Sequence, residues 1–141
     1  MNGCLLFYAR AVDSNILPAV CEIASDMARP TQAALAKADR IMAYLSGQPP
    51  YRRVYHACDM QLKIESDASF LSRSQSRSVA GGIMYCGNKN DKSLNAPIQC
   101  ISSIIPTVCA SAAEAEYAAL FMNGQIGLAT SLSERARVSP A

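Results

Sequence analysis

The sequence predicts a chain of the α/β class with α+β order: a helical segment, then three strands, then a last helix packed on them. Three observations predict it. Apolar side chains recur at helical spacing before Pro49-Pro50, residues 60–105 fall into three β-like stretches with turn-rich connections, and a capping signature at Ser111 opens a long alanine-rich run. The chain is expected to divide into a helical segment, 1–50, and a sheet-containing domain, 51–141.

The helical segment reads as three helices. "LLFYARAV" and "ILPAVCEIASDMA" are the first two, with Asp13 or Ser14 capping the second and Pro18 tolerable in its first turn. In "ARPTQAALAKADRIMAYLSGQPP", Thr31 is the expected N-cap, and Leu35, Ala38, Met42 and Leu45 form the expected apolar stripe. Gly47 and the Pro49-Pro50 pair end that run.

After Pro50 the pattern changes to strands. "MQLKIESDAS" alternates, with Leu62, Ile64, Ser66 and Ala68 on one face and Lys63, Glu65, Asp67 and Ser69 on the other. "SVAGGIMYCG" and "APIQCISSII" are the second and third strands, separated by the turn-rich "NKNDKSLN". The last helix begins at Ser111, because Ser111 with Glu114 three residues on makes a capping box. Glu116 is not explained that way: two positions along a helix turn a side chain by about 200°. Gly124 and Gly127 leave open whether this helix continues past them or breaks there.

Composition narrows the class without naming a partner. The 141 residues are 50% hydrophobic and 17% charged, enough to bury one core, and a net charge of +2 argues no nucleic-acid surface by itself. Cys4, Cys21, Cys58, Cys86, Cys100 and Cys109 include no C-x-x-C pair, and His56 is the sole histidine, so buried free thiols in a reducing, intracellular setting are expected. "MNGCLLFYAR" is too short and wrongly flanked for a signal peptide or a membrane span, and no membrane partner is expected.

Asp67 on a strand and Glu116 one turn into the following helix are the residues that carry chemistry. Carboxylates from a strand and a packed helix can hold Mg²⁺ ions that clamp the attacking and leaving oxygens of a phosphodiester. Their context adds a resemblance. "PIQCISSIIPTVCASAAEAEY", residues 97–117, resembles the segment of copia-type long-terminal-repeat retrotransposon Pol polyproteins that leads into the first helix of their ribonuclease H domain. Pro97, Ile98, Thr107, Val108, Ser111, Glu114, Ala115, Glu116 and Tyr117 match that pattern. "IESDASFLSRSQSRSVAGGIMYCG" is similar to that family's first hairpin, and "GCLLFYARAVDSNILPAVCEIASDMARPTQAALAKADRIMAYLSG" to the end of its reverse transcriptase and the connecting helices.

The resemblance implies a truncated ribonuclease H-like domain: a three-stranded antiparallel sheet with a packed helix, preceded by a helical connection. It implies Mg²⁺- or Mn²⁺-dependent cleavage of RNA in an RNA–DNA hybrid, with Asp67 and Glu116 as catalytic metal ligands and Glu114 as the cap. Two departures bear on activity. Ser103, Ile104, Ile105 and Pro106 stand where the family carries a basic cluster, and no Asp follows in a strand context to supply further ligands. Activity is therefore expected to be weak or absent, with at most one ion held, and neither Asp91, in the loop between strands, nor Glu134, eighteen residues beyond Glu116, is expected to substitute. The alternative is a non-catalytic interaction or dimerisation module, a homo-oligomer or one that accepts a strand from a partner. Arg52, Arg53, Arg73, Arg77, Lys89 and Lys92 are expected to be loop charges, His56 a structural or surface residue, and Glu65 a strand-surface acid.

Overall fold

In the computed structural model the described residues are 2–29, 31–90 and 93–138, with side chains described from 3 to 132 within them. The chain forms two compact units, Met1–Arg53 and Val54–Ala141. Among the described residues no helix is long and apolar enough to cross a membrane.

The first unit is helical: α1 (Asn2–Ala11), a 3₁₀ turn (Ser14–Ile16), α2 (Leu17–Asp26) and α3 (Gln32–Gly47). Asp13 is the cap, its carboxylate accepting from the Asn15 amide at 3.0 Å. Thr31 caps α3 by accepting from the Ala34 amide at 3.2 Å. The core joins Leu5 and Ala9 of α1, Leu17, Val20 and Ile23 of α2, and Ala34, Ala38 and Ile41 of α3. The buried stripe of α3 is thus turned by about one residue from the expected one. Leu35 and Met42 are exposed, because burying small Ala34 lets α3 approach its neighbours more closely than Leu35 would.

The second unit carries β1 (Gln61–Arg73), β2 (Arg77–Gly87), β3 (Gln99–Ile104) and α4 (Ala112–Val138). The strands form one antiparallel sheet in the order β1-β2-β3. β1 runs further than expected, and the turn in "SRSQSRS" shrinks to Ser74–Ser76, with Gln75 at φ 61°. The ladder is regular from Gln61↔Gly87 to Ser69↔Val79, then shifts before Arg73↔Arg77, where Leu71 takes φ 51°.

Period-two alternation assigns the faces. Ala68 and Phe70 pack against a cluster of Ala80, Ile105, Cys109, Ala115 and Ala119, so even-numbered residues of β1 and β2 meet α4. Alanines at 115 and 119 allow the helix to sit close to the strands. Of the two outcomes left open, α4 passes through Gly124 and Gly127 without a break: its packing against the sheet outweighs a cost of about 1 kcal/mol per glycine. None of the six cysteines is in a disulfide, yet only Cys86 and Cys109 are buried and Cys4 is exposed. The thiols are therefore not the uniformly buried set that composition suggested.

Candidate functional site

Glu114 and Glu116 have separate surroundings. Ser111 Oγ accepts from the Glu114 amide at 3.1 Å, and the Glu114 carboxylate accepts from the Ala110 amide at 2.6 Å. The box closes one residue earlier than the usual pattern, on the residue preceding the cap, and engages one oxygen of the Glu114 carboxylate. Glu116 lies one step round the helix, toward the outer side of β1. With Ser66, Ala113, Tyr117 and Leu120 it lines a recess of about 390 Å³.

Asp67 does not face that recess. Its neighbours Ser66 and Ala68 both point to α4, so the Asp67 side chain leaves β1 from the opposite face, where it is exposed. Glu65 shares that face and accepts from the Tyr85 hydroxyl at 2.8 Å. This bond, more than the burial of the ring, raises the Tyr85 pKa above its ordinary 10.0, since ionising the phenol would remove the donor and set two anions together. Glu65 is therefore a partnered acid and not a simple surface one.

By the strand's alternation Asp67 leaves β1 on the face away from α4, whereas Glu116 is borne by α4 beside Ser66. This donor set does not fit a two-ion site. Among the described residues no group of three or more His, Cys, Asp or Glu side chains stands together to hold an ion. Asp91, Lys92 and the Glu134 side chain lie outside the described residues.

The polar residue that sequence reasoning missed is Asn123. It is wholly buried in α4, and its Nδ2 donates to Ser66 Oγ and to the Gly81 carbonyl, each at 2.8 Å. Its Oδ1 is buried without a hydrogen-bond donor and lies against Gly82, where an added Cβ would meet the amide carbon at 2.6 Å. Gly82 is thus a close-approach glycine, and the amide ties α4 to β1 and β2 together. The available signal was a lone amide in the apolar run "LFMNGQIG" beside a Gly81-Gly82 pair.

Two of the basic residues expected in loops, Arg73 and Arg77, instead stand opposite each other at the ends of β1 and β2. Arg77 donates through Nε to the Ser74 carbonyl at 3.1 Å and so braces its own turn. Arg53 donates to the Arg10 carbonyl at 3.1 Å within the helical unit. His56 is held by its backbone: its amide donates to Asn95 Oδ1 at 3.0 Å, and its carbonyl accepts from Asn95 Nδ2 at 2.9 Å. The Asp59 amide likewise donates to Asn88 Oδ1 at 2.9 Å, so two asparagines of the β2–β3 connection fix the segment entering β1.

Comparison with known protein families, with curated proteins and with solved structures finds no match.

Proposed function

We propose that the second unit is a ribonuclease H-like fragment of the retrotransposon Pol kind whose hydrolytic site is not assembled in this chain. The observation that carries the reading is positional. An acid at the middle of the first strand and a second acid one turn into the helix that follows a three-stranded antiparallel meander are where that fold keeps its first ligands. The ancestral substrate class is RNA paired with DNA, and the ancestral cofactor Mg²⁺ or Mn²⁺. With Asp67 facing away from α4 and Glu116 borne by it, one ion at most is held, and weakly.

The test is a hybrid-cleavage assay on the full chain in Mg²⁺ and in Mn²⁺, with Asp67→Asn as control. The expected result is no turnover above the control. Robust turnover that Asp67→Asn abolishes would overturn the reading. Melting curves separate the two helix acids: Glu114→Ala costs about 1 kcal/mol through the lost cap, whereas Glu116→Gln leaves stability unchanged and removes any shift caused by Mn²⁺.

A second reading, a non-catalytic interaction module, is favoured by one observation: among the described residues β1 is an edge strand, and a recess lined by Ser66, Ala113, Glu116, Tyr117 and Leu120 lies beside it.

A further inference from the structure

The helical unit holds a recess that neither reading of the second unit uses. Its volume is about 470 Å³, within the range of small-ligand sites, and Tyr8 of α1, Tyr44 of α3 and Tyr51 just beyond α3 line it together with Asp13. Leu45, Pro49 and Pro50 add apolar wall, and the two prolines restrict the backbone that carries them.

Asp13 is the member that points to a ligand. It is only 4% exposed, and its Oδ1 accepts from the Asn15 amide at 3.0 Å. Among the described residues nothing donates to Oδ2 and no cation pairs with it. That oxygen still reaches accessible surface, and the surface it reaches is the recess that Asp13 lines. Capping needs one oxygen, and an asparagine or serine would supply it without placing a charge in a buried position. The second oxygen therefore leaves a carboxylate in want of a counter-charge at the bottom of an aromatic recess.

The rings stand nearer the mouth: Tyr44 and Tyr51 are 43% and 40% exposed, and Tyr8 is half-buried. An aromatic ring attracts a cation to its face, so three rings and a carboxylate in one recess favour a positive ligand. Its kind follows from hydration. A primary ammonium must give up strong bonds to water, and one free carboxylate oxygen replaces few of them. A quaternary ammonium has no N–H to satisfy, and its methyl groups suit the proline and leucine wall. Arg52 opposes any cation here, but it is exposed and can turn its guanidinium to water.

We propose that this recess binds a quaternary ammonium group, with the Asp13 carboxylate as counter-charge and the rings of Tyr8, Tyr44 and Tyr51 around the methyl groups. The site belongs to the first unit and stands whether or not the second is a ribonuclease H-like fragment.

Calorimetric titration of the full chain with tetramethylammonium chloride tests it, with potassium chloride as the ionic control. Saturable binding is expected of tetramethylammonium and of choline, and none of the neutral isostere of choline in which carbon replaces nitrogen. Equal binding of choline and that isostere overturns the proposal, since a merely apolar recess would take both. Asp13→Asn keeps a capping side chain and should weaken binding by about tenfold with melting unchanged. Tyr44 is exposed enough for substitution without loss of fold: Tyr44→Phe should hold the affinity within about threefold, while Tyr44→Leu should lose about tenfold. Arg52→Gln should tighten binding by about threefold, because it removes a like charge. Weaker binding in that variant would show that Arg52 belongs to the site in another role and would overturn the proposal. A short peptide carrying trimethyllysine separates the sources of the group: tighter binding than choline assigns a protein side chain, and weaker binding a free cation. A chain with native circular dichroism that binds none of the three cations overturns the proposal outright.

Discussion

Adjacent residues of β2 show how differently the two faces of the sheet are built: Met84, facing α4, is wholly buried, while Ile83, facing away, is 41% exposed. The α4 face is apolar and closely packed, with a single buried amide at Asn123. The opposite face carries Lys63, Glu65 and Asp67, with the Glu65–Tyr85 hydrogen bond across the strands. Burial is not confined to the α4 side, since Tyr85 on the other face is also buried, but the two strand acids, Glu65 and Asp67, both lie away from α4.

The two neighbouring glycines of β2 sharpen this contrast most. Gly82→Ala drives a methyl group into the Asn123 amide, with no room for either to move, and should cost about 3 kcal/mol. Gly81→Ala points to the other face, where its nearest contact is the Asp67 carbonyl at 3.6 Å, and should change stability by less than about 0.5 kcal/mol. Urea unfolding of the pair measures the difference. Equal losses would mean that the two faces are packed alike and would break the comparison.

Asn123→Ala should cost less, about 2 kcal/mol, since it removes two buried hydrogen bonds while relieving an oxygen that has no donor. Loss of the exchange protection of amides along β1 and β2, without loss of the helical unit, is the accompanying signature. A neutral substitution would show that the clasp adds nothing beyond packing.

The smallest effect lies on the far face. Tyr85→Phe should cost less than about 1 kcal/mol at neutral pH. Its value is in the pH dependence. The folded-state pKa of Tyr85 is raised, so the stability from its bond to Glu65 is whole below the unfolded value of 10.0 and is lost as pH rises through the folded value. The gap between the unmutated chain and Tyr85→Phe should therefore close under alkaline conditions. A gap that widens there would reverse the assignment of donor and acceptor.

Much of the secondary structure was legible because its signals are local. Thr31, Asp13 and the Ser111–Glu114 box announce helix starts by satisfying nearby amides, and the alternation in "QLKIESDAS" states which side chains share a face. The faces of Asp67 and Ser66 were even readable in advance, and what remained hidden was the side on which α4 would lie. The stripe on α3 shifted from Leu35 to Ala34 for a related reason: periodicity locates an apolar face only to within a residue, and the neighbouring helix selects the small side chain that permits close approach.

The sequence by itself determined the order of elements, the helix caps, the alternation of β1 and the split between Glu114 and Glu116. Each of these depends on groups within a few residues of one another, where covalent geometry sets the distances. Only the tertiary structure decided that α4 covers the Ser66 face, that Asn123 bonds Ser66 and Gly81 across the packed layers, and that Asp67 is thereby turned away from α4. Those outcomes join residues about 40 to 60 positions apart, and they follow from which pairing of faces buries the most apolar surface without leaving polar groups unsatisfied, a choice that no local pattern encodes.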